Sequence, residues 1–185
     1  MKKLHLHNAR EIDELECPQD SRSLSIASPA LEFFTDFKDI KPLLISASMP
    51  AVEAVTLMIQ NHVRLKFVVD SHGNFIGVVS ADDLVERRIV MKVSEGYARE
   101  MIPVSDFMTD KKTMKALDFQ EIMAAQISDV IAALKQSGQQ HCLVIDQATH
   151  KVRGIFSASD ISRKLRLPID IQEKSSFYRV FSATA

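Results

Sequence analysis

Tryptophan is absent from this chain of 185 residues, and it has only two cysteines, Cys17 and Cys142, and five glycines. Two cysteines cannot build a disulfide framework, so the sequence predicts a reducing, cytoplasmic setting. Five glycines are too few for an all-β sandwich or barrel with its many tight turns. No apolar run approaches the roughly 20 residues a membrane helix needs. Met1-Lys2-Lys3 begins like a secretory leader, but His5, His7, Asn8, Arg10 and Glu11 follow in place of an apolar stretch. A charge excess is missing too: 23 Lys+Arg stand against 24 Asp+Glu, and neither half is a charge pole. That balance argues against a nucleic-acid partner, which would call for basic residues facing phosphate. What remains, at 46% hydrophobic and 25% charged, is a soluble globular chain. Its eight methionines suit a soft aliphatic core.

The chain repeats itself once, at a separation of 77 residues. Phe67-Val-Val-Asp70 followed by Gly77-Val-Val-Ser-Ala-Asp-Asp-Leu84 returns as Leu143-Val-Ile-Asp146 followed by Gly154-Ile-Phe-Ser-Ala-Ser-Asp-Ile161. That period is too long for a solenoid unit and reads as a duplicated small domain. In the first copy, Leu43–Ile45 is a short strand and Pro50 opens a helix carrying Val52, Val55 and Ile59 on one face. Lys66–Val69 and Phe75–Val79 form a hairpin around a turn at Gly73. A helix is expected from Ser80 through Leu84, Ile89 and Val93 to Gly96. The second copy predicts a strand near Leu117–Phe119, a helix over 124–137 stopped by Gly138, strands at 142–145 and 152–156, and a helix from Ser157 to about Leu165. The order is βαββα twice, an α/β (α+β) fold with helices covering one face of each sheet.

These boundaries divide the chain into an N-terminal extension (1–41) with a helix near 28–37, a first unit (42–93), a linker (94–103), a second unit (104–168) and a C-terminal helical tail (169–185). Residues 1–27 are polar and weakly periodic. Phe33, Phe34 and Phe37 in the extension, and Phe177 and Phe181 in the tail, call for burial against something.

An apolar strand ending in Asp, a short turn, Gly-hydrophobic-hydrophobic-Ser-x-x-Asp and a following helix, present twice, resemble a CBS-domain pair, or Bateman module. The stretch Val104-Ser-Asp-Phe-Met-Thr109 is similar to the lead-in common ahead of such a domain. The resemblance covers roughly residues 40–168, and the flanks look like those of small stand-alone bacterial proteins of this type. It implies two subdomains packed about a pseudo-twofold axis, with a cleft between them that takes an adenosine compound such as AMP or ATP. By that match Asp83 and Asp160 are the ribose acceptors, and Ser80, Ser157 and Ser159 the hydroxyl donors. Arg64 and His141 lead into the second strands, where the family often meets phosphate. One departure stands out: Asp118-Phe-Gln-Glu-Ile-Met-Ala-Ala-Gln126 replaces the short turn the family usually has before the first helix of the second copy.

Residue chemistry alone leaves a second meaning open, because Ser-x-x-Asp ahead of an apolar helix is also a capping arrangement. The copies differ: Asp82 stands beside Asp83, whereas Ser159 stands beside Asp160. An extra carboxylate repels phosphate, so the second copy is the expected nucleotide site. Enzyme motifs are missing. There is no Gly-x-Ser-x-Gly elbow, phosphate-binding Gly-x-x-x-x-Gly-Lys loop or Gly-x-Gly-x-x-Gly. Cys142 and His141, adjacent on a strand, point to opposite faces. No cofactor requirement and no metal site are expected; His5-x-His7 has no third ligand at a sensible spacing. The sequence thus predicts a non-enzymatic regulatory sensor of adenosine nucleotides, with a dimerising interaction scaffold whose cleft is vestigial as the alternative. A homodimer is expected, through apolar positions Leu84, Ile89, Val93, Ile161 and Leu165 on the second helices, together with a protein partner that the sequence does not identify.

Overall fold

The computed structural model describes residues 24–169 and residue 171. The Phe177/Phe181 tail and the His5/His7 pair lie outside those residues. In chain order the strands are β1 (Thr35–Asp36), β2 (Leu44–Ser46), β3 (Leu65–Val69), β4 (Phe75–Ser80), β5 (Thr109–Asp110), β6 (Ala116–Asp118), β7 (His141–Asp146) and β8 (Lys151–Ser157). The α-helices are α1 (Ala51–Gln60), α2 (Glu86–Ser94), α3 (Phe119–Ile122), α4 (Ile127–Ser137) and α5 (Ala158–Leu165).

Two hairpins form the centres of two sheets. In the first, β3 pairs antiparallel with β4, with Phe67 opposite Val78 and Leu65 opposite Ser80. In the second, β7 pairs with β8, with Leu143 opposite Ile155 and His141 opposite Ser157. Both hairpins shift register at the same place, after Val68 and after Val144. Strands β2 and β6 lie parallel to β3 and β7 because a helix, α1 or α4, carries the chain across.

The fourth strand of each sheet comes from the other side. Strand β1 pairs with β8, and β5 pairs with β4, giving the orders β1-β8-β7-β6 and β2-β3-β4-β5. The repeated glycines make this contact. A Cβ on Gly77 would collide with the carbonyl of Thr109, and one on Gly154 with the carbonyl of Thr35 and the ring of Phe34. Residues 28–37 therefore form not the expected helix but a 3-10 turn (Ala30–Phe33) running into β1. Arg153 closes the seam by donating from Nε to Asp36 at 2.8 Å while its guanidinium lies 4.0 Å from the Phe119 ring centre.

Burial follows the crossover. Ile102, Val104 and Phe107 pack into the first core with Val68, Val79 and Ile89. Ala30 and Phe33 pack into the second with Val144, Phe156 and Ile161. A third cluster, Phe67, Val78, Leu143 and Ile155, joins the inner faces of the two sheets. This is the expected tandem α/β pair with its sheets facing.

Four local expectations are corrected. First, α1 buries Ala51, Ala54 and Met58 and leaves Ile59 exposed, because the small alanines let the helix lie close to its sheet. Second, α2 begins at Glu86 rather than after Ser80, because residues 81–84 form a closed turn. Third, the unusual segment after Asp118 holds the one-turn α3, whose first turn is capped by Asp118 accepting from the Gln120 N–H at 2.7 Å. Fourth, the helix expected over 124–137 starts only at Ile127, behind a capping box between Gln126 and Asp129.

Candidate functional site

Strands β4 and β8 end at Ser80 and Ser157, and the chain turns outward at both points toward the Ser-x-x-Asp aspartates. Between the sheets at this end lies a cavity of about 300 Å³. Arg64, Ser80, Asp82 and Asp83 wall it on the first side, Gln140 and His141 on the second, over a floor of Val78, Leu143 and Ile155. Four of the seven residues singled out from sequence thus meet around one space. Ser157, Ser159 and Asp160 are not on its wall. Ser157 stands directly opposite His141 in the ladder, and residues so paired project to the same face of a sheet.

The two aspartates are in different states. One Asp83 oxygen accepts from the Ser80 N–H at 2.9 Å and from the Ser80 hydroxyl at 2.6 Å, and the other accepts from Arg88 at 2.8 Å. The Asp83 N–H donates back to the Ser80 hydroxyl oxygen at 3.2 Å. In this copy the motif is a closed cap, and that turn delays α2. Asp160 accepts nothing from the Ser157 backbone and faces Arg163, one turn along the exposed side of α5, at 3.1 Å. The Ser157 and Ser159 hydroxyls bond to each other at 2.8 Å. A carboxylate without backbone donors keeps its acceptor positions for something else.

Charge in the cleft is also arranged differently from the sequence expectation. Arg64 reaches Asp82 at 2.7 Å, so the carboxylate expected to repel phosphate carries its own cation. His141 sits among Asp160, Arg64 and Asp82; burial is the largest influence on it and holds its imidazole below the usual histidine range, with Asp160 pulling the other way. Its strand neighbour Cys142 points into the second core, where burial pushes the thiol up. The two side chains do lie on opposite faces, as strand alternation requires.

Sequence reasoning missed two larger features. A groove of about 840 Å³ runs between α1 and α2, walled by Val52, Val55, Ile59, Leu84, Val85 and Ile89. A cavity of about 1030 Å³ opens at the hairpin-turn end of the two sheets. Both are made of residues that read one at a time as ordinary core or turn, so only the packing reveals them. The apolar positions proposed for dimer contact are partly corrected: Leu84, Ile89, Ile161 and Leu165 are buried in their own cores. Val93 is exposed as expected, joined by Ile59, Val85, Val90 and Met91.

A family model for the CBS domain matches residues 37–89. A search of the curated proteins finds no match. Among solved structures, the chain is similar to an uncharacterized conserved protein from Pyrococcus horikoshii, at TM-score 0.57 and 22% identity over 80% of this chain and 98% of that one. It is similar to CBSX2 in complex with AMP at TM-score 0.53 and 20% identity, over 74% and 94% of the two chains. The CBS domain pair of protein MJ0100, in complex with 5'-methylthioadenosine and S-adenosyl-L-methionine, matches at TM-score 0.51 and 16% identity, over 74% and 98%. At these identities the likeness is one of fold.

Proposed function

We propose, from the match of residues 37–89 to a CBS-domain model and a fold like that of CBS-domain pairs, that this chain is a cytoplasmic regulatory module, not an enzyme, that senses an adenosine nucleotide in the cleft between its two units. The units are those at 42–93 and 104–168. The observation that carries the reading is the meeting of Arg64, Ser80, Asp83 and His141 around one cavity between the sheets, with Asp160 close enough to act on His141. Two solved structures of this fold are complexes with adenosine compounds, AMP in one and in the other 5'-methylthioadenosine, a thioether, with S-adenosyl-L-methionine, a sulfonium, which supports trying adenosyl compounds first.

At the edge of the cleft on the second copy's side, Asp160 takes the ribose hydroxyls, Ser157 and Ser159 turn toward phosphate, and His141, on the cavity wall, supplies the facing donor. Asp83 is already committed to Ser80 and Arg88, so its copy contributes wall rather than grip. The change of shape on binding is passed to a protein partner. Titrating wild type, Asp160→Ala and Asp83→Ala with AMP and ATP by calorimetry checks the assignment. Losing the Asp160 acceptor leaves ligand hydroxyls unpaired at about 1–3 kcal/mol, so affinity falls about tenfold to a hundredfold. Asp83→Ala changes it by less. No heat from wild type with any adenosine compound would leave the motif as helix capping alone.

A further inference from the structure

The two hairpins are built to one register, so their inner faces can be compared position by position. Phe67, Val69 and Phe75 of the first occupy the ladder places of Leu143, Ile145 and Val152 in the second. On the first side three rings fill the space: Phe37 from the lead-in meets Phe67 edge-on at 5.0 Å, and Phe75 lies 6.0 Å from Phe67. On the second side aliphatic chains stand where rings would, and Met114 comes from the lead-in. There the inner core opens into the cavity of about 1030 Å³, with Phe75, Met114, Leu143, Ile145 and Val152 on its wall. The inner part of this space is walled by apolar side chains.

Its mouth is cationic. Lys111 and Lys151 both line it, and the Lys111 ammonium is fixed there by donating to the Phe75 carbonyl at 2.9 Å. Against them stands one carboxylate, Asp146, which is turned inward to accept the N–H groups of Ala148 at 3.0 Å and Thr149 at 3.2 Å. Asn74, Gln147 and His150 complete the polar rim. An apolar pocket with a few convergent polar groups is the ordinary form of a small-molecule site.

We propose that this cavity is a second ligand site, separate from the nucleotide cleft, that takes an amphipathic organic anion: a flat or branched apolar body bearing one carboxylate or sulfonate. The body occupies the place the rings fill on the other side, and the acid group meets Lys111 and Lys151. Met114 and Leu143 wall both cavities, back to back, so an occupant here presses on the floor of the nucleotide cleft.

The probe is 8-anilinonaphthalene-1-sulfonate, an aromatic sulfonate, titrated by fluorescence against the full chain, which has no tryptophan of its own. Saturable binding of one probe per chain is expected. Val152→Phe puts back the ring that Phe75 supplies in the first copy, and should weaken the probe at least tenfold while circular dichroism stays native. Lys151→Gln, an exposed change that leaves the core alone, should weaken it about threefold to tenfold. Saturating AMP should not displace the probe stoichiometrically, and Asp160→Ala should leave it bound, so the two sites fail separately. Probe binding untouched by both Val152→Phe and Lys151→Gln, or one-for-one displacement by AMP, would overturn the proposal.

Discussion

At the residue scale, the first copy has Leu65 where the second has His141, each opposite a serine at the end of its hairpin. One apolar side chain in the joint between the sheets has become a titratable one, and its surroundings set how it responds to pH. Burial disfavours the imidazolium, Arg64 adds to that, and Asp160 and Asp82 oppose it. The folded chain therefore binds this proton less readily than the unfolded chain does, so stability is full above the unfolded value and declines as pH falls through 6.5 toward the lower folded value. An anion bound beside His141 reverses the preference. Affinity for AMP should rise as pH drops from 8 to 6, with proton uptake visible as a buffer-dependent calorimetric heat. His141→Gln should flatten both dependences; a slope that survives that substitution would assign the titration to another group.

At the element scale, the duplicated motif takes two forms. In the first copy Ser80 and Asp83 bond reciprocally and the helix waits until Glu86; in the second, α5 starts straight after Ser157. Removing a side chain that caps backbone donors costs about 1 kcal/mol, whereas an exposed acid in a helix first turn is worth about 0.3–1 kcal/mol. Urea unfolding should accordingly find Asp83→Ala the more destabilised of the two, by about 1–2 kcal/mol from wild type, while Asp160→Ala stays within about 1 kcal/mol. Stability and ligand affinity then rank the two aspartates in opposite orders. Most elements were legible beforehand, because the hairpin strands alternate around their turns and the helices are bounded by Pro50 and Gly138. What the sequence did not disclose was which of two equal-looking Ser-x-x-Asp motifs closes on itself, since that depends on Arg88 reaching back from α2. Nor could it disclose the 3-10 turn and strand at 30–36. Ser28-Pro29 and the spacing of Leu31, Phe33 and Phe34 mimic a helix, and only docking against β8 makes the chain extended there.

At the scale of the whole molecule, α1 and α2 of the first unit leave an apolar groove that the chain's own described residues do not fill. Ile59 is 68% exposed and Val85 43%, values that count because both side chains line the groove. We propose this face as the contact of the homodimer expected from the sequence. Light scattering at micromolar concentration should return about twice the 20.8 kDa chain mass, and Ile59→Glu with Val85→Glu should return the single mass with native circular dichroism. A clean single mass from wild type would remove the assignment. The Arg99–Glu86 ion pair at 2.6 Å beside the groove is exposed and contributes little stability.

The crossed lead-ins also impose an order in time. A chain emerging from the ribosome presents Thr35 and Asp36 first, yet their partners Ile155 and Gly154 follow about 120 residues later, whereas Thr109 needs only Val78, already made about 31 residues before. At roughly 5–20 residues per second, Phe33 and Phe34 remain without their sheet for several seconds of synthesis. The first sheet is complete as soon as its lead-in strand emerges, but the second closes only when an early segment meets one made about 120 residues later. Until that moment Phe33 and Phe34 lack the sheet that covers them in the folded chain.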